Sequence, residues 1–441
     1  MVVKLNYIVK LDSYVKVAGA ANPVPRCEGS TMSDSLVPED SPRATAGRTI
    51  LAGLSASLVG IGLARFGYTP LIPPLIQAHW FAASDVVNLG AANLAGYLAG
   101  AILGRPAGGR FGNAHTLRAM MLAVTLAFLA CAFPLSVAWF FAWRFVSGVA
   151  GGAIMVLVAA TLLPHVPAAR RGVASGAIFL GLGIGIAGSG TVVPLLLELG
   201  LRQTWTGLAL ISAAFTAASW LAWPASAADV AGAAPAARHE SHRGAPSHTM
   251  TAFYAQYALM AVGLVPAMVF LVDFIARGLR QGTHMGAFFW VLYGIGAIIG
   301  PPLYGLLGDR LGARQALRVV LAAQAVAVLG LYLLRTPLTL AVAAVAVGTF
   351  PSGIVPVVLA RVRELEPHSV ARQNATWSRA TTVFAAAQAI SGYAYSALFN
   401  ATHGDHRLLF LFAALGIFVS LAIDFVWITE TRAAAPLPSE A

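Results

Sequence analysis

The chain has 441 residues, of which 58% are apolar and only 10% charged, whereas charged residues make up about a quarter of a water-soluble domain. Its net charge of +11 comes almost entirely from arginines in short segments between long apolar runs. That distribution orients helices in a bilayer and excludes both a soluble domain and a nucleic-acid patch.

Residues 1–47 read as a polar N-terminal tail. Lys4, Lys10 and Lys16, the only lysines, precede Met32 in a stretch with neither an apolar core nor a small-residue cleavage site, so it does not fit a secretory signal. Met32 reads as an alternative start that would open an ordinary cytoplasmic tail. Apolar runs long enough to cross about 30 Å of hydrocarbon follow. The first six are Ile50 to Leu75, Asp85 to Leu103, Leu117 to Leu135, Ala138 to Leu163, Val173 to Leu197 and Trp205 to Trp223. Pro224 to Met250, rich in Ala, Pro, Ser, His and Arg, has no apolar period and reads as a flexible linker. The second six are Ala252 to Ile275, Met285 to Leu307, Ala316 to Leu334, Leu338 to Val358, Thr376 to Leu398 and Leu408 to Ile428. The expected organisation is a first bundle over 48–224, a cytoplasmic linker over 225–249, a second bundle over 250–430 and a tail over 431–441.

Arginine alternates between loops. Arg105, Arg110 and Arg118, then Arg170 and Arg171, Arg238 and Arg243, Arg310, Arg314 and Arg318, and Arg361, Arg363 and Arg372 fall in every second one. The loops between hold only Arg202, Arg277, Arg280, Arg335 and Arg407. By the positive-inside rule the rich loops are cytoplasmic, both termini are inside and the helix number is even. The halves also resemble each other. Gly104 to Gly112 after the second run has a counterpart in Gly305 to Arg314 after the eighth, and Pro70 and Pro73 have one in Pro266. The expected fold is an all-α integral membrane protein of twelve transmembrane helices in two pseudo-symmetric six-helix bundles, a plan that puts a substrate site between repeats.

Gly305, Asp309, Arg310, Gly312 and Arg314 resemble the cytoplasmic loop motif of the major facilitator superfamily. The resemblance implies a gate latch that holds the cytoplasmic helix ends together in one state; the first-half copy has Gly109 where the acid would stand. Arg144 to Gly152 is similar to the superfamily's intramembrane arginine followed by glycines, which implies proton coupling or substrate contact for Arg144. The alternative is a structural arginine bonded to carbonyls of a neighbouring helix. Gly181, Gly183, Gly185, Gly188 and Gly190 form a ladder in the fifth run without the Gly-Pro pair of drug/proton antiporters. Gly62 to Pro73 resembles the opening helix of the YbfB/YjiJ family within that superfamily.

Polar groups inside spans are costly and tend to be functional. Arg65, with Tyr68 and Thr69 a turn onward on a helix bent by Pro70 and Pro73, suits an anionic solute such as a carboxylate; the alternative is a pairing with Asp273 or Asp424. Further cavity candidates are Asn93, Arg144, Gln256, Tyr257, Trp290, Tyr293 and Gln388. Trp290 reads equally as a membrane-belt or packing residue, and Arg379 as an interfacial anchor. Arg144 and Asp273 are the coupling candidates, Asp273 reading otherwise as a solvated helix end and Asp424 as structural. Cys27 and Cys131 make no metal site, and no cofactor, metal or nucleic acid is expected. The function expected is secondary transport of a small organic solute by a monomer in the inner (plasma) membrane, with the bilayer and protons as further partners. Metabolite or drug efflux is the alternative within transport, and a polytopic enzyme or sensor the alternative outside it.

Overall fold

The computed structural model describes residues 42–166, 171–223, 248–367 and 370–426. The tail with Cys27 and Met32, Arg170, the linker with Arg238 and Arg243, and the C-terminal tail lie outside these. In hydrocarbon the backbone must bond to itself, which leaves helices or a closed barrel, and the described residues form helices arranged as twelve crossings. The first, α1, is composite: an α-helix over Pro42–Ser57, a π-helical stretch over Leu58–Phe66, a 3-10 turn at Thr69–Leu71 and a short helix over Ile72–Gln77. The rest of the first half is α2 (Ala83–Phe111), α3 (Asn113–Cys131), α4 (Val137–Leu162), α5 (Arg171–Leu197) and α6 (Leu201–Ser219). The second half is α7 (His248–Asp273, continued by a π-helical turn over Phe274–Gly278), α8 (Gly282–Leu311), α9 (Ala313–Leu333), α10 (Pro337–Gly348 and Phe350–Leu365), α11 (Val370–Ala401) and α12 (His406–Val426).

Ten crossings are long and apolar enough to span a membrane on length and composition. The other two, α6 and α11, carry polar side chains along their first turns, such as Arg202 and Gln203, or Arg372 and Gln373. Several ends differ from those read off the apolar runs. Helix starts at Pro42, inside the stretch expected to be tail. The glycine-arginine motifs expected as loops are the last turns of α2 and α8, and each ends at a glycine of positive φ, Gly112 at 81° and Gly312 at 77°. A residue with Cβ is strained there, so the stop is set by backbone conformation and not by loss of hydropathy.

The repeat seen in sequence is a repeat of packing. In lipid, helices gain little from hiding apolar surface from each other, so close approach through small residues matters more. A Cβ on Gly96 or Gly100 of α2 would strike the backbone of α4 at Phe145 or Val149. On Gly296 or Gly300 of α8 it would strike α10 at Val345 or Thr349. Arg118 of α3 lies over the Trp220 ring at 5.4 Å, and Arg318 of α9 over Phe425 at 4.2 Å. The halves meet where α2 packs on α11 and α5 on α8. On that second seam Gly183 abuts the backbone at Ala297, Gly190 abuts Val291, and Gly294 abuts Ala187. Helices α1 and α7 are buried through their middles and bring their side chains to the centre of the molecule.

Candidate functional site

The centre is built around α1. Its π-helical stretch spans Leu58–Phe66, Gly62 lies against the α-carbon of Gly185 on α5, and the prolines beyond prevent a regular helix from resuming at once. Irregular turns of this kind recur at functional sites. Arg65 emerges from this stretch buried, 9% exposed. Its Nη2 donates to Oε1 of Gln388 on α11 at 2.6 Å, a bond between the two halves. The guanidinium lies over the Tyr97 ring at 4.8 Å, while its Nε finds no acceptor among the described residues.

Arg65 and Gln388 share a cavity with Tyr97, Met155, Tyr257 and Thr381. The ring of Tyr257 packs on Phe384 at 4.6 Å. Nε2 of Gln388 and the hydroxyl of Thr381 are buried without partners among the described residues, as is the hydroxyl of Tyr293. The free volume is about 40 Å³, far below the roughly 300 Å³ or more of an open ligand pocket, so this conformation holds the site closed.

A second, smaller space adjoins it, lined by Arg65, Tyr68, Thr69, Asn93, Arg144 and Met268 among others. Arg144 donates from Nη1 to the Ala64 carbonyl of α1 at 2.8 Å and lies over the Tyr68 ring at 4.3 Å. This is the carbonyl-bonded arrangement weighed for it in the sequence. Asn93 donates to Ser147 Oγ at 2.9 Å, joining α2 to α4. Tyr68 donates to the Val86 carbonyl, and Thr69 to the Met268 carbonyl of α7, each at 2.7 Å. Thr69 thereby closes α1 onto the second half.

The buried acids lie elsewhere. Asp273 is 1% exposed and is not the solvated helix end considered above. It accepts two bonds from Arg277, the one from Nη2 at 2.6 Å, and faces His406 Nε2 at 2.7 Å. Asp424, fully buried, pairs with Arg318 and at 3.5 Å with Arg314. Arg65 is bonded to neither acid.

The other candidates separate. Trp290 is no belt residue: it is fully buried, stacked on Tyr293 at 4.9 Å, and donates to Ser189 Oγ of α5 at 3.0 Å. Gln256 turns to α12, donating to the Ser420 carbonyl at 3.3 Å. Arg379 is exposed. Of the helix-end motif, Gly305 is half-buried, Asp309 and Arg310 are exposed, and Asp309 makes no ion pair among the described residues. Beyond Gly312, Glu364 accepts the Ala313 N–H at 2.9 Å and pairs with Arg361 at 2.7 Å. Three residues at these centres escape a reading of the sequence. Tyr97 and Thr381 look like ordinary span residues, and His406 stands just ahead of an apolar run; the Asp-His-Arg triplet at 405–407 was the one available signal.

Residues 57–425 match the family described as "Uncharacterised MFS-type transporter YbfB". The crystal structure of a D-xylose-proton symporter is similar in fold, with a TM-score of 0.71 over 87% of this chain and 98% of that one at 14% identity. No curated protein matches the sequence.

Proposed function

Because the chain belongs to the family of YbfB-type transporters of the major facilitator superfamily, a family of membrane carriers and not of enzymes, we propose that it is a secondary carrier of a small organic anion. The solute binds at Arg65, and rocking of the two halves opens that site to each side of the membrane in turn. One observation supports the choice of an anion. Two guanidinium groups, those of Arg65 and Arg144, are buried at the centre, and among the described residues no carboxylate lines either space around them. A buried charge is costly unless paired. Arg144 is partly satisfied by a carbonyl, but Arg65 has only an amide oxygen and an aromatic face. A carboxylate supplies the missing charge and can accept two parallel bonds from one arginine.

Arg144, bonded to the Ala64 carbonyl, holds α4 on α1. Coupling to protons falls to Asp273 with His406, a carboxylate and an imidazole in contact near the end of α7. The motif from Gly305 to Arg314 serves as a latch that engages in the opposite conformation. On this reading the bundle lies in the inner (plasma) membrane with both termini in the cytoplasm, an orientation that the arginine-rich loops support.

The test is flux into liposomes containing the full chain, with a panel of labelled organic anions and with or without a pH gradient. Uptake is expected to rise when the side of entry is acidic and to fall by at least about tenfold in Arg65→Gln, the loss of one charge-assisted contact. If every transported solute is carried equally well by Arg65→Gln, the anion reading is wrong. Gradient-driven export of cationic compounds by that variant would favour efflux.

A further inference from the structure

We infer that the anion is a monoanion with an apolar or aromatic body, held head-first by Arg65, Gln388 and Thr381; this rests on the anion reading above. The head is defined by the atoms left over. Oε1 of Gln388 accepts from Arg65, so its amide nitrogen is the free end and can only donate. Nε of Arg65 is likewise a donor, and the Thr381 hydroxyl can be one; all three belong to side chains lining one cavity, Arg65 from α1 and the other two from α11, and are buried without partners among the described residues. A set dominated by donors calls for a group that only accepts, as an ionised carboxylate does.

The charge of the solute is limited by the same lining. Among the described residues, Arg65 is the one charged residue lining the larger cavity. Arg144 does not line that cavity: it lines the adjoining smaller space, with Nη1 on the Ala64 carbonyl, its guanidinium over the Tyr68 ring and Nε without an acceptor among the described residues. A second carboxylate on the solute would be buried with no cation to meet it, at the cost that excludes unpaired charge from such places.

The body follows from the remaining lining. Ile61, Leu182, Leu264, Ile354, Val355 and Phe384 offer no hydrogen bond, and Tyr97 and Tyr257 add one hydroxyl each, so a polyhydroxylated solute would leave the rest of its hydroxyls unpaired. Flat or branched hydrocarbon fits beside the rings of Tyr97 and Tyr257.

The experiment uses the full chain in proteoliposomes with labelled benzoate, and phenylacetate, isovalerate, succinate, citrate and xylose as competitors. Phenylacetate and isovalerate are expected to compete at concentrations at least about tenfold below succinate or citrate, since a desolvated unpaired carboxylate costs at least that much. Gln388→Glu, nearly isosteric, puts an acid beside Arg65. It should cut benzoate uptake by about tenfold or more, because the protein's own carboxylate then occupies the guanidinium, while the unfolding temperature holds or rises. That stability arm separates occupation of the site from misfolding. Succinate or citrate competing as well as the monocarboxylates would overturn this inference and leave the anion reading standing. Transport of xylose alone, undiminished in Arg65→Gln, would overturn both. Absence of uptake for benzoate, with no effect of phenylacetate or isovalerate on any solute that is carried, would overturn the inference alone.

Discussion

The molecule buries charge in two different ways. At Asp273 and Asp424 each carboxylate is met by two basic side chains, Arg277 and His406 in one case, Arg318 and Arg314 in the other. At the centre, Arg65 and Arg144 have dipoles and ring faces but no carboxylate. The first kind is closed: each acid is met within the fold by basic side chains, and the contacts hold helices together. The second is open at Arg65, whose charge something from outside must complete; Arg144 is held by the Ala64 carbonyl. Burial alone does not separate them, since Asp424 and Arg144 are equally hidden; the chemistry of the partners does.

That contrast can be broken in three places. Removing the acid from a closed cluster should cost most. Asp424→Ala leaves Arg318 and Arg314 facing one another, and is expected to lower stability by about 3 kcal/mol, read as a drop in the thermal unfolding midpoint in detergent. A midpoint equal to that of the parent protein would mean the cluster holds nothing together. Next comes Arg144→Lys, which keeps the charge but loses the planar stack on Tyr68 and the reach to Ala64. A loss of about 1–2 kcal/mol is expected, in line with a charge-assisted hydrogen bond and a desolvated cation–π contact. The smallest change belongs to Arg65→Gln. Taking out a charge the fold leaves uncompensated should move stability by less than about 1 kcal/mol, or raise it, because neutral replacement of a buried ion is often harmless. If Arg65→Gln unfolds as readily as Asp424→Ala, Arg65 is a structural residue and the distinction fails.

Much of the architecture is legible in composition and loop charge because hydrocarbon imposes length and polarity on every crossing. The limits of the helices are less so. Hydropathy marks where the bilayer ends, but α2 and α8 run on to Gly112 and Gly312, whose backbone conformation stops them. The same limit hides His406, placed by sequence in a loop although it is the first residue of α12 and rests against Asp273. Arg65 stands out in sequence because a charge in a span is rare, yet its partner Gln388 is one polar residue among several on α11. What joins them is the docking of one half on the other, which no local pattern encodes. Trp290 shows the converse: in sequence it reads as cavity, belt or packing residue alike, and only the packing of α8 on α5 puts it inside.

The glycine seam between α5 and α8 bears on how such a molecule can move. Interlocked side chains act as gear teeth, and sliding one surface over another means lifting them out of their sockets. Where Gly183 and Gly294 meet the opposing helix, backbone lies on backbone at Ala297 and Ala187, and at Gly190 the Val291 side chain meets a bare backbone, so there are few teeth to lift. The joint is tight yet smooth, a bearing on which two rigid bodies can turn while staying in contact.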